Sequence, residues 1–178
     1  MIYIPKTSNV TLRGNPVFIR NRMLISISGL TDSQFKTAVL KASSFYLDLL
    51  LPRHIAKHIT VDIEFLGKLD KSADGYCEVS GHNKRGKPRE FEIQIQRNKS
   101  KRYMMMTLAH EFVHLKQYAM GELDENMSVW KGKRVSSSTD YWDTPWEIEA
   151  HGREYGLWSR FAEKFKIRYR RTKYERDN

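Results

Sequence analysis

Residues 103–120 contain neither Gly nor Pro and are rich in Met, Leu and Ala, which propagate helices; Gly121 follows, where a left-handed terminator belongs. Met104, Met105, Leu108, Phe112, Leu115 and Ala119 surround this helix on the sides away from His110, Glu111 and His114. The pattern predicts a buried helix with one polar face turned into a cleft. Burying two imidazoles and a carboxylate together is unfavourable unless something satisfies them, so the rest of the chain has to be arranged around that face.

On a helix, residues four apart stack on one side, so His110 and His114 can offer two ring nitrogens to one ion while Glu111 stands beside them to take a proton from water. That is the donor set of a zinc site with its own general base. The plainer alternative is a core helix whose histidines are merely hydrogen-bonded. Zinc in hydrolases usually has three protein ligands and one open position, so a third ligand is expected elsewhere.

Thr144-Pro145 predicts the start of a second helix, with Thr as N-cap and Pro at the first helical position. Along it, Glu147, Ala150, His151, Glu154, Tyr155, Trp158 and Phe161 form an inward stripe, and Glu149, Arg153, Gly156, Arg160 and Glu163 an outward one. Glu147 is the expected third ligand. It also stands where a capping-box Glu turns back to the N-cap amide. His151, one turn further along the same face, favours the ligand reading. Tyr155 is the candidate donor to a developing oxyanion, with His151, Tyr118 and Tyr141 as alternatives.

The 178 residues suit a single domain, 1–178, with a basic C-terminal tail from about residue 166. No apolar run approaches the ~20 residues needed to span a bilayer, and Met1–Ser8 lacks the apolar centre of a signal peptide, so no membrane partner is expected. One cysteine, Cys77, suits a reducing compartment, and a cytoplasmic location is expected, in a bacterium or a phage-infected one. Met23 to Ser28 and Ile59 to Phe65 read as strands. A capping box at Thr31 to Gln34 opens a helix that Pro52 closes, and Tyr76 to His82 with Arg89 to Gln96 forms a hairpin. Gly121 to Asp143 is a long connection with a small hairpin at Lys131-Gly132, positioned as a lid or structural flap.

The net charge of +10 concentrates in two places: residues 83–102 carry eight basic and two acidic side chains, and residues 160–178 carry eight and three. Arg168, Arg170, Arg171 and Lys173, interleaved with aromatic residues, are candidates for nucleic-acid contact through phosphate pairing and base stacking. A solvated basic surface, or a dock for acidic proteins, carries the same charge.

His110-Glu-Phe-Val-His114, followed by a helix with Glu147 and His151 four apart, resembles the gluzincin group of zinc metallopeptidases. That resemblance implies an α+β zincin-like catalytic domain with a small mixed sheet, Glu147 as a ligand, and a residue four further on, usually Asp and here His151, behind the ligands. It also implies that the edge strand beside the active helix pairs with extended peptide substrate. His151-Gly-Arg-Glu-Tyr155 resembles the third-ligand stretch of SprT/Spartan-like proteases, which makes His151 the alternative ligand and implies protein substrates bound to nucleic acid. More loosely, the two motif segments are similar to small zincin-like proteins of bacteriophage and aquatic bacteria. The expected activity is zinc-dependent hydrolysis of peptide bonds in a protein or peptide substrate, with Glu111 as base. The competing expectation is a non-enzymatic, basic nucleic-acid-binding protein on a zincin scaffold.

Overall fold

The computed structural model of the chain describes residues 17–19, 23–69 and 73–167. Strands β1 (Val17–Ile19) and β2 (Met23–Ser28) lead into helix α1 (Ser33–Leu50), a short α2 (Arg53–Ala56) and strand β3 (Thr60–Leu66). The hairpin β4 (Gly75–His82) and β5 (Pro88–Gln96) runs into α3 (Lys101–Met120). A two-residue-per-strand ribbon, β6 (Val129–Trp130) and β7 (Lys133–Arg134), then precedes a 3-10 turn at Tyr141–Asp143 and α4 (Pro145–Lys164). The fold is therefore mixed α+β, with four α-helices and a small mixed sheet among the described residues.

The five large strands are ordered β1-β2-β3-β5-β4. β3 pairs parallel with both β2 and β5, and the outer pairs are antiparallel. Parallel neighbours require crossovers, supplied by α1 between β2 and β3 and by the β4 excursion between β3 and β5. β1 and β4 are the outer strands of the sheet among the described residues.

Burial alternates along β3, with Val61, Ile63 and Phe65 buried and Asp62 and Glu64 only half-buried on the other face. Ile25, Ile27, Phe91, Ile93 and Ile95 continue the apolar face on β2 and β5. The helices pack on this face. Tyr46 of α1 meets Phe112 of α3 at 5.8 Å between ring centroids and Phe161 of α4 at 6.0 Å, so three helices converge on one aromatic cluster. Each large side chain fully removed from water there stabilises the fold by roughly 1.5–3 kcal/mol. α3 is buried almost without interruption from Met104 to Ala119, as its sequence predicts, and Gly121 closes it at φ 69°.

The cap of α1 differs from expectation. Asp32, not Thr31, is the N-cap, and its carboxylate accepts the Phe35 N–H at 2.9 Å. The helix begins one residue later than the capping-box reading places it, so Phe35 is the residue whose orphan amide must be satisfied. The hairpin at Lys131-Gly132 forms as expected, with both residues at positive φ (48° and 79°). No helix among the described residues is long and apolar enough to cross a membrane. The tail with Arg168, Arg170, Arg171 and Lys173 lies outside the described residues.

Candidate metal centre

α3 and α4 pack antiparallel: His110 meets Glu154, while Gln117 meets Trp146 at the other end. This register brings Glu147 against both histidines. His110 Nε2 lies 3.0 Å from His114 Nε2 and 3.2 Å from Glu147 Oε2, and His114 Nε2 lies 3.4 Å from Glu147 Oε1. All three side chains are buried. Ligands ~2.0–2.1 Å from a tetrahedral zinc ion stand about 3.3 Å apart, so the triangle has the dimensions such an ion requires.

The far nitrogens of the two rings decide which tautomers are present. His110 Nδ1 is 2.8 Å from a Glu154 oxygen, and an ionised carboxylate can only accept, so Nδ1 carries the hydrogen. His114 Nδ1 is 2.9 Å from Gln117 Oε1. The amide orientation of Gln117 is fixed because its Nε2 donates to Trp146 O at 2.9 Å and to Glu149 Oε2 at 3.1 Å, leaving Oε1 as an acceptor. Both Nδ1 atoms are thus donors, and in the neutral rings both Nε2 lone pairs converge with a carboxylate on one point. Such convergence is repulsive without a positive charge between the groups. A divalent cation fits, held by His110, His114 and Glu147.

The electrostatics ask for the same thing. Burial favours neutral His110, yet hydrogen bonds to Glu147 and Glu154 and the charge of Glu111 override it and push the imidazole up to about 10. His114 moves in the same direction against its burial, chiefly through Glu147. Glu147, despite burial, is held well below the usual carboxylate range by the two histidines. Burial pushes Glu111 upward, opposed by His114 and His110. Three carboxylates around two imidazoles are short of cationic charge, which protons supply unless a metal does.

Glu111 is 4% exposed and faces the edge strand. Gly75, the first residue of β4, lies so close that a Cβ there would stand 2.6 Å from Glu111 Oε1 and 2.7 Å from Thr107 Cγ2. The strand's backbone forms one wall of the space beside the carboxylate. This wall belongs to a cleft of about 550 Å³ that also contains Tyr103, Tyr141, Trp142, His151 and Glu154. The long connection supplies the opposite wall: Tyr141 donates its hydroxyl to Glu147 Oε2 at 2.8 Å, and Trp142 stacks on His151 at 4.7 Å and 30°. The ribbon before it is anchored by Asp124, whose carboxylate takes the N–H groups of Ser128 and Val129 at 2.7 and 2.6 Å.

Not every residue singled out in the sequence is where its stripe predicts. His151 lines the cleft, its ring 4.5 Å from that of His110, with Nδ1 3.4 Å from Glu154 and Nε2 3.9 Å from Glu147. Its buried Nε2 has no hydrogen-bond partner among the described residues. It forms a second group of potential metal donors with His110 and Glu154, but no group of three joins it to both His110 and His114 among the described residues. Tyr155 is 58% exposed and lies outside the cleft. At ~100° per residue it is about 80° round the helix from Glu147, whereas the buried face extends the other way through Trp146, Ala150 and Leu157.

Glu149 is also not a solvated residue. It reaches back to α3 and takes Lys116 Nζ at 2.9 Å, Gln117 Nε2 at 3.1 Å and, from its own helix, Arg153 Nε at 3.1 Å. Thr144 caps α4 without a side-chain bond to the helix amides, its hydroxyl donating to Tyr141 O at 2.7 Å. Glu147 is therefore not engaged as a capping-box partner of Thr144. Glu154 and Gln117 are the groups behind the histidines that sequence reasoning missed as such. Glu154 stands on the inward stripe two turns beyond Glu147, and Gln117 one turn beyond His114. The chain matches no protein-family model, no curated protein and no solved structure, so its function has to be read from this geometry.

Proposed function

We propose that this chain is a zinc-dependent metallopeptidase with a zincin-like catalytic domain, in which His110, His114 and Glu147 hold the metal and Glu111 is the general base. The observation that carries this reading is the triangle of His110 Nε2, His114 Nε2 and the Glu147 carboxylate, with sides of 3.0–3.4 Å and both Nδ1 atoms tied down behind it. When bound, zinc supplies a Lewis acid that polarises a scissile carbonyl and acidifies water at its open position. Glu111 takes the proton of the attacking water and delivers it to the leaving amine. Its burial helps, because a carboxylate raised toward neutral pH is the stronger base.

Glu154 and Gln117 fix the two ring planes, and Tyr141 steadies Glu147. His151 Nε2, in the cleft and without a hydrogen-bond partner among the described residues, is better situated than exposed Tyr155 to donate to the developing oxyanion. An extended peptide added to the free edge of β4 would pass Gly75 and thus Glu111, which supports a protein or peptide substrate. Absence of any three-donor group joining His151 to both His110 and His114 among the described residues favours Glu147 as third ligand over the SprT-like alternative.

The test has two parts. Protein stripped of metal and titrated with zinc is expected to bind about one ion per chain and to cleave unstructured peptides only when loaded, with products identified by mass spectrometry. Glu111→Gln is expected to keep the zinc and lose the cleavage, because an amide cannot accept the proton. Wild-type cleavage by that variant, or unchanged zinc binding in His110→Ala/His114→Ala, would overturn the reading.

A further inference from the structure

A second cleft, of about 660 Å³ against about 550 Å³ at the metal centre, lies elsewhere in the protein. It lies around His82, seven residues along β4 from Gly75 and therefore about 23 Å away at ~3.3 Å per residue. One wall is α2 and its exit, with His54 and His58. The other is the β4–β5 turn, with His82, Asn83, Lys84 and Arg85, and Arg89 lies behind it. The sequence separates these walls by more than twenty residues; the parallel pairing of β3 with β5, Thr60 opposite Glu90, brings them together.

Residues 53–58 and 82–90 together carry Arg53, Lys57, Lys84, Arg85, Lys87 and Arg89, three histidines, and a single carboxylate, Glu90. That carboxylate lines the cleft beside Gly81, where a Cβ would stand 2.5 Å from its Oε2, and Glu125 pairs with His82 at 2.7 Å, so the lysines and arginines outnumber the carboxylates six to two. Among the described residues no ion pair neutralises Arg53, Lys57, Lys84, Arg85 or Lys87, and all five are exposed. The turn that presents Lys84 and Arg85 is rigid: Asn83 Oδ1 accepts the N–H groups of Arg85 and Lys87 at 2.9 and 3.1 Å, and Asn83 N–H donates to Lys87 O at 2.9 Å. Concentrated charge on a fixed loop loses little conformational entropy when it engages an anion.

We propose that this cleft is a phosphate-reading site for the backbone of nucleic acid, independent of whether the metal centre hydrolyses peptides. Lys84, Arg85 and Arg89 lining the cleft, with exposed Arg53 and Lys57 beside it at α2, match a line of phosphates better than one small anion. No Phe, Trp or Tyr lines the cleft, so bases have nothing to stack on and binding is insensitive to sequence. A membrane surface fits less well, because Ile55 is the one large apolar side chain among the residues that line the cleft.

The experiment is fluorescence anisotropy of the full chain with a short labelled duplex DNA, titrated between about 50 and 200 mM salt. Lys57→Ala/Lys84→Ala/Arg85→Ala is compared with a charge-matched control, Lys41→Ala/Lys133→Ala/Arg134→Ala, which alters exposed cations elsewhere. Each phosphate contact contributes about 0.9 to the salt slope, so three lost contacts lower it by about 2.7, and Kd at low salt rises at least about tenfold. The control variant is expected to stay within about threefold of wild type, and both variants to keep the wild-type melting temperature and zinc content. Equal losses in the two variants would reduce the effect to net charge and overturn the proposal. So would wild-type affinity and slope in the cleft variant, which would move any binding to the C-terminal tail. Absence of duplex binding, or binding only to anionic phospholipid vesicles in a parallel assay, would also overturn it.

Discussion

Gly75→Ala tests the link between the sheet edge and the chemistry, because a Cβ at this position would meet the Glu111 carboxylate. The added Cβ would meet Glu111 Oε1 at 2.6 Å and Thr107 Cγ2 at 2.7 Å, against an ordinary contact of 3.4 Å or more. Gly75 is held by its pairing with Ile95 and cannot simply retreat, and Thr107 has a short side chain fixed to α3. The mobile partner is the end of Glu111, which has to withdraw by about 0.8 Å. A displacement near 1 Å at a reacting group lowers the rate by about 100-fold, so kcat is expected to fall on that scale. KM should stay within a few-fold, and zinc should remain, since none of the three atoms nearest the added Cβ belongs to a ligand. Overpacking should also destabilise the fold by about 1–3 kcal/mol. A substrate-free check is a double-mutant cycle on chemical denaturation. In a Glu111→Asp background the carboxylate is one methylene shorter, so Gly75→Ala should destabilise less than in wild type, by at least about 0.5 kcal/mol. Full activity and stability in Gly75→Ala, or a coupling of zero, would refute the idea that the edge strand bears on the general base.

The ligand set orders a second series. Glu147→Ala should lose zinc affinity by far more than Glu154→Gln, which acts through His110 Nδ1 and should lose about 10 to 100-fold, measured by competition with a chelating dye. A larger loss at His151→Ala than at Glu147→Ala would make His151 the third ligand. Glu149→Ala should leave zinc affinity nearly unchanged but lower stability by about 1–3 kcal/mol, because buried Lys116 and Gln117 lose an acceptor; an unchanged denaturation midpoint would contradict this. Zinc binding at pH 7 should release protons. His110, pushed up to about 10, and His114, moved the same way, hold protons in the metal-free protein below their raised values and must give them up to the ion. Calorimetry in buffers of different ionisation enthalpy should show release of at least about one proton per zinc, with affinity falling as pH drops; pH-independent binding would rule this out.

What could be read in the sequence were the features set by neighbours within one or two turns. The absence of Gly and Pro across α3, the Gly121 terminator and the Thr144-Pro145 start are local, and each element stands where those signals put it. The errors have an equally local cause. The sequence stripe on α4 centres on its polar residues, whereas the buried arc centres near Ala150 and Phe161; Tyr155 consequently turns to solvent, and Glu149 sits where a long side chain can reach back to Lys116. Gly75, Gln117 and Tyr141 were not assigned their contacts because those depend on register between elements. Gln117 becomes the orienter of His114 only because α4 comes close enough for Trp146 O and Glu149 to fix its amide. The same antiparallel register matches His110 with Glu154 and puts Glu147 between the two Nε2 atoms, so Glu147 and Glu154, seven residues apart, serve opposite sides of one imidazole. Two helical turns span that separation to within ~20°, since seven residues at ~100° each fall just short of 720°. A Glu at position 147 and another seven residues on is therefore a spacing that holds both nitrogens of His110, while His151, four residues on, stacks against Trp142.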